Sequence, residues 1–176
     1  MPTLHLIAPS GYCVQQEAAF RGVARLEEAG HQVLNQQVIT RRFQRFAGDD
    51  GTRLSDLAEL MQLPEDIDIV MPVRGGYGIS RLLDQVDYHA IKQRQARSPL
   101  LICGHSDFTA FQLALLAHTE VITFSGPMLA GNFGAEALNS FTWSHFRQAL
   151  QEPEFTLMWP SESRPFEATG TLWGGN

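Results

Sequence analysis

Cysteine, basic stretches and long apolar runs are all scarce in this chain, and each scarcity removes a class of protein. Only Cys13 and Cys103 occur in 176 residues. Two cysteines so far apart make neither a disulfide framework nor the paired spacing of a zinc site, so no metal is expected. No apolar run approaches the roughly 18 residues of a membrane span, so no membrane partner is expected. Met1-Pro2-Thr3-Leu4-His5 sets no basic region before an apolar one, and no secretory signal is read there. A net charge of −6 and a pI near 5.4 argue against nucleic acid as the main partner. Neither G-x-G-x-x-G nor the Lys-Ser/Thr ending of a P-loop is present, so nucleotide binding is not expected and no cofactor is implied. There are no internal repeats and no low-complexity segment. A soluble protein of a reducing compartment, such as a bacterial-type cytoplasm, fits these absences.

What is present is globular. The chain is 44% hydrophobic and 18% charged, and it is long enough for one sizeable core. Residues 4–8 form a predicted strand that Pro9-Ser10-Gly11 ends. Residues 15–29 are helical by composition, with Ala19, Val23 and Leu26 on one stripe and Gly30 as the cap; residues 31–34 form a second strand. Strand, helix, glycine and strand in this order make a βαβ unit and predict a parallel sheet. The pattern continues with a helix over 49–63, a strand over 67–73, a polar crossover over 88–97, a strand over 100–103, a helix from Asp107, a strand over 121–124 and an amphipathic helix over 134–150. Residues 41–46, Arg-Arg-Phe-Gln-Arg-Phe, could hold an anion but are more commonly a solvated surface segment. Residues 155–159 and 168–173 alternate like strands. On this reading residues 1–150 are an α/β domain, and 151–176 are a linker and the first strand of a second domain that is otherwise absent.

Two stretches carry chemistry. Arg74-Gly75-Gly76-Tyr77-Gly78 follows the third predicted strand, where clustered glycines mean positive φ or close approach by a ligand. Gly104-His105-Ser106-Asp107 follows the fourth, between an apolar strand and a helix. A strand, a sharp turn with serine at its tip and a helix describe a nucleophile elbow. The turn exposes the serine oxygen and aims the first-turn N–H groups at a developing oxyanion. The common pattern is G-x-S-x-G, and Phe108 stands where its last glycine would be. The plain alternative is that Ser106 only caps the helix. Both stretches lie at carboxyl ends of parallel strands, the edge along which open α/β sheets bind ligands. An N–H of the glycine loop and that of Asp107 can then serve as two oxyanion donors.

These residues resemble the LD-carboxypeptidase family, the muramoyltetrapeptide carboxypeptidases of bacterial cell-wall recycling. The matching pieces run in order along the whole chain: residues 6–11, 73–83, 102–110, 123–128 and 170–176. The resemblance implies a flavodoxin-like fold, an open and mostly parallel α/β sheet with helices on both faces. It implies a metal-free serine peptidase that removes the terminal D-alanine from murein tetrapeptide. A related branch cleaves other acyl bonds, including that of a processed peptide-nucleotide antibiotic. Carried over by motif, Ser106 is the nucleophile, and the N–H groups of Asp107 and of Gly75 or Gly76 form the oxyanion hole. Arg74 and Tyr77 are candidates for substrate contact, with Arg74 suited to a carboxylate. Family members are commonly homodimers.

The family's triad is completed by a glutamate and a histidine of a second domain, and the sequence stops at Gly174-Gly175-Asn176 where that domain begins. None of His5, His31, His89, His105, His118 and His145 has a motif-based claim to replace the base; His105 should point away from its neighbour Ser106. The chain alone is therefore expected to be inactive or nearly so. The alternatives are a non-catalytic α/β module that binds a peptide or acidic ligand, and an amidotransferase-like hydrolase that uses Cys103.

Overall fold

The computed structural model describes residues 2–162, 164 and 167–171. Five strands form one sheet: β1 (Thr3–Ile7), β2 (Gln32–Leu34), β3 (Ile69–Pro72), β4 (Leu101–Gly104) and β5 (Phe124–Ser125). Their order is β2-β1-β3-β4-β5, and every neighbouring pair is parallel. The helices α1 (Gln16–Glu28), α2 (Asp50–Glu59), α3 (Tyr88–Arg97), α4 (Thr109–Thr119) and α5 (Ser140–Ala149) connect and cover them. This is the open parallel α/β sheet that the strand–helix alternation predicts.

Strand alternation splits the core in two. Leu4, Leu6, Ile69, Met71 and Cys103 pack on α1 and α5 through Val23, Leu26 and Phe146. Ile7, Val70 and Ile102 face the other way, onto Leu57, Ile91, Phe111 and Leu115 of α2, α3 and α4. Coverage on both faces is why these strands are short, nearly continuous apolar runs. Phe108, Phe111 and Leu115, the residues whose spacing turns them inward, are fully buried.

Four sequence expectations differ from the structure. The strand expected over 121–124 is only Phe124–Ser125, because pairing with β4 begins at Cys103 with Phe124. The helix expected over 134–150 starts late, at Ser140. A π-helical turn spans Leu129–Phe133, and α5 begins only after Asn139, whose side chain accepts the Thr142 amide at 2.9 Å. Arg21 and Arg25 explain the late start: their guanidiniums donate to the carbonyls of Phe133, Gly134, Ala135 and Glu136, which a helix over these residues would use internally. Residues 155–159 are exposed and form no strand, since among the described residues no strand offers them a ladder. Residues 168–171 form none either; the remainder of that expected strand, Leu172 and Trp173, lies outside the described residues.

The sheet order positions the site. From β1 the chain moves one way to β2, then returns to place β3 on the other side of β1. The loops after β1, β3, β4 and β5 therefore leave the sheet at one carboxyl edge, where open sheets of this order bind ligands.

Close packing of α1 on the turn before α5 sets a test of the fold. A Cβ at Gly134 would fall 2.1 Å from the Ala18 carbonyl oxygen and 2.6 Å from that of Ala130. Gly134→Ala should cost about 2–3 kcal/mol, the upper part of the overpacking range. The readout is a lower urea midpoint with an unchanged slope. An unchanged midpoint would show that α1 and this turn separate freely.

Candidate active site

β4 ends at Gly104, and the chain turns through His105 into a 3-10 turn, Ser106–Phe108, that leads into α4. Ser106 has φ +59°. A non-glycine residue pays about 1–2 kcal/mol for this left-handed conformation, so its surroundings must hold it there. Gly75 is the closest of them. A Cβ on Gly75 would lie 2.9 Å from both Cβ and Oγ of Ser106 and 3.3 Å from the Asp107 amide nitrogen. Only glycine allows the two loops to meet this closely. Ser106, the Asp107 amide and Gly75 thus share one small volume.

Two hydrogen bonds fix that meeting. The Gly11 amide donates to the Gly75 carbonyl at 3.1 Å. The Ile79 amide donates to the Asp107 carboxylate at 3.1 Å, which ties the serine turn to the far end of the glycine loop. Behind the loop stands Arg53, fully buried. It donates to the carbonyls of Pro9 at 2.8 Å and Gly78 at 3.0 Å, pairs with Asp50 at 2.5 Å, and lies 4.5 Å over the Phe46 ring. Gly78 has φ +110°, and a Cβ there would strike the Phe46 ring at 2.6 Å. Arg53 and the Asp107 side chain escaped the sequence reading. An arginine on the inner face of α2 looks there like any other helix charge.

A cleft of about 550 Å³ opens beside Ser106. It is lined by residues 13–15 after β1, 74–76 after β3, 105–106 after β4, and 128, 130 and 131 after β5. The structure therefore gathers Arg74, Gly75, Gly76 and Ser106 in one place. Tyr77 is not part of the wall; it is exposed and stacks on Phe46 with ring centres 6.4 Å apart. Residues 13–15 and 128–131 were missed, although both follow parallel strands and the carboxyl-edge rule applies to them too.

The histidines resolve individually. His105 borders the cleft, and its ring Nδ1 is 2.9 Å from the Gly126 carbonyl oxygen. His5 lies 3.6 Å from Glu59, His31 contacts the Pro2 carbonyl, His118 stacks on Tyr88, and His145 contacts the Phe141 carbonyl. Among the described residues none hydrogen-bonds to Ser106. Cys103 is buried at the sheet, and burial pushes its thiol up to about 12. It therefore stays protonated at neutral pH, the wrong state for a nucleophile.

Comparison with known proteins bears on this geometry. Residues 4–126 match the LD-carboxypeptidase N-terminal domain. A probable murein peptide carboxypeptidase of Bacillus subtilis is 33% identical over 155 residues, 86% of this chain and 47% of that protein. The microcin C7 self-immunity protein MccF of Escherichia coli is 32% identical over 152 residues, 82% of this chain and 43% of that protein. The crystal structure of muramoyltetrapeptide carboxypeptidase from Oxalobacter formigenes superposes with a TM-score of 0.80 at 36% identity, covering 93% of this chain and 53% of that one. The chain spans about half the length of these relatives.

The strain at Ser106 is measurable. Ser106→Gly and Ser106→Ala both remove the hydroxyl, but only glycine takes φ +59° freely. The glycine variant should be more stable than the alanine variant by about 1 kcal/mol. Equal urea midpoints would mean that the turn carries no strain.

Proposed function

The chain belongs to the LD-carboxypeptidase family, and on that premise we propose that it is the serine-bearing, amino-terminal part of a serine peptidase that removes the terminal D-alanine from murein tetrapeptide. The observation that carries the reading is the left-handed Ser106 at the carboxyl end of β4, with Gly75 and the Asp107 amide packed against it.

In this mechanism the turn is a nucleophile elbow. Ser106 Oγ attacks the carbonyl before D-alanine and gives its proton to a base. The oxyanion is held by the N–H of Asp107 and one from Gly75 or Gly76, donors that need no rearrangement as charge develops. Collapse breaks the C–N bond, the base protonates the leaving amine, and water then hydrolyses the acyl-enzyme. Arg74, in the cleft wall, meets a carboxylate of the peptide in bidentate geometry. Tyr77, outside the wall, touches only substrate that extends beyond the cleft. The base is the histidine of a Ser-His-Glu triad contributed by a second domain. Residues 151–176 are read as the way into it. The chemistry needs no cofactor, and among the described residues no group of three potential ligands for a metal exists. No described helix is long and apolar enough to cross a membrane. A cytoplasmic homodimer of the full-length protein completes the proposal.

The test is D-alanine release from murein tetrapeptide, followed for the protein expressed from its complete reading frame and for the 176-residue chain. Ser106→Ala in the former should lower the rate by about 10³-fold or more. The chain alone should fall by at least a similar factor. A Ser106→Ala variant that keeps its rate would end the serine mechanism. Unchanged ligand affinity together with no turnover by any form would leave a binding module instead.

A further inference from the structure

His5 lies in the middle of β1, and it is buried. Two residues from Ile7, it shares that residue's face of the sheet, the one that α2 covers. A buried imidazole needs partners for its nitrogens. Two groups approach Nε2: the Asn35 Nδ2 at 3.2 Å and a Glu59 carboxylate oxygen at 3.6 Å. They demand opposite protonation states of the ring.

Asn35 decides which state holds at neutral pH. Its Nδ2 also donates to the Leu6 carbonyl at 2.7 Å, which fixes the amide group, not the side-chain oxygen, against His5. A donor there needs the Nε2 lone pair, so the ring is neutral and carries its proton on Nδ1. In that state Glu59 meets a lone pair and gains nothing. Protonation reverses both contacts: an N–H on Nε2 opposes the Asn35 donor and suits the Glu59 acceptor. The other elements around the ring add little charge. β2 brings none, β3 sets Val70 beside His5, and α2 adds Asp56, which Arg41 already pairs. Burial lowers the basicity of the ring, while Glu59 and Asp56 act the other way.

The pair matters because of where Asn35 stands. It ends β2, a three-residue strand at the edge of the sheet, and has φ +61°. So short an edge strand has few ladder bonds, and side-chain contacts at its end set how readily the segment opens. From Asn35 the chain runs through the 3-10 turn Gln36–Thr40, with Val38 and Ile39 buried, to Arg41, which grips Asp56. Farther on, the Arg45 carbonyl accepts the Tyr12 amide, next to Gly11, whose own amide donates to the Gly75 carbonyl. The segment anchored by Asn35 thus ends against the loop that touches Ser106.

We propose that His5, Asn35 and Glu59 form a proton-operated latch: the neutral ring accepts from Asn35 and fastens residues 35–40 to β1, and the protonated ring pairs with Glu59 and lets Asn35 go. The latch is independent of what Ser106 attacks. Because burial lowers the basicity of the ring, the stabilisation tied to its neutral form is complete above the ordinary histidine value near 6.5 and is lost as pH falls through the lowered one.

The experiment is a nuclear magnetic resonance titration of the ¹⁵N-labelled 176-residue chain over about pH 5 to 8, with the His5 ring assigned by through-bond correlation to its backbone. At the upper end Nε2 should resonate as an unprotonated nitrogen and Nδ1 as a protonated one. The two partners should move the midpoint in opposite directions, each by about half a unit or more. Glu59→Gln removes the acceptor for the charged ring and lowers it. Asn35→Gly removes the donor to the neutral ring, keeps the left-handed backbone and raises it. A proton on Nε2 at the upper end, or midpoints that move the same way, would overturn the latch. Hydrogen exchange supplies the second readout. Protection of the amides of residues 36–40 should fall about 3- to 5-fold from the upper to the lower end in the unsubstituted chain and stay level in His5→Gln. An equal fall in both chains would also overturn it. Glu59 is half-exposed, so its variant keeps the fold and carries the test even where His5→Gln does not fold.

Discussion

The close approach of Gly75 to Ser106 is the contact on which the site depends. Ser106 occupies a backbone conformation that opposes its own side chain. Nothing within the serine turn repays that cost. The neighbouring loop does, because a residue with no side chain lets the β3 and β4 loops share one surface. The contact in turn requires that both loops arrive at the same height. Parallel pairing of β3 with β4, Val70 opposite Ile102, sets that height before any loop residue contributes.

Holding the loops together falls to polar groups that would be expensive to bury alone. Arg53 is the extreme case. An unpaired guanidinium with no exposed surface would be strongly destabilising, but here two carbonyls, the Asp50 carboxylate and an aromatic face surround it. Each partner comes from a different segment: the loop after β1, the end of the glycine loop, the start of α2 and the turn over residues 43–46. Removing the charge would therefore free several segments at once. The Asp107 carboxylate does the same from the other side, gripping Ile79 while its own amide nitrogen lies against Gly75. Its side chain and its backbone thus have separate duties.

Much of this was legible in the sequence, for identifiable reasons. Strands buried on both faces announce themselves as apolar runs, so β1, β3 and β4 were placed to within a few residues. Glycines and a serine at strand ends are local signals, so Gly75, Gly76 and Ser106 were found. The missed features are all long-range. Arg21 and Arg25 delay the start of the expected helix from more than a hundred residues away. Arg53 is separated from Pro9 by 44 positions. Periodicity describes what a segment does with its own neighbours. It is silent when a distant guanidinium takes the carbonyls that a helix would otherwise use. The expected strand at 155–159 fails for the converse reason: alternation marks a segment able to pair, but a strand exists only beside another strand.

The geometry also suggests why a site of this kind can be shared between two parts of a longer chain. Oxyanion donors work by being immobile, and immobility is cheapest at the edge of a buried sheet, where strand register and glycine contacts already fix the backbone. All the proposed donors are of that type, on loops that follow β3 and β4. A general base has a different requirement, because it must reach Ser106 from the open side of the cleft, across from the sheet. His5, His31, His118 and His145 each meet a group other than Ser106, and His105, the nearest in sequence, is held by the Gly126 carbonyl. A loop growing from the same sheet edge would have to turn back over the cleft to deliver one. Supplying the base from a second domain, as the family resemblance implies, leaves the sheet edge to do only what it does best, which is to hold backbone donors still.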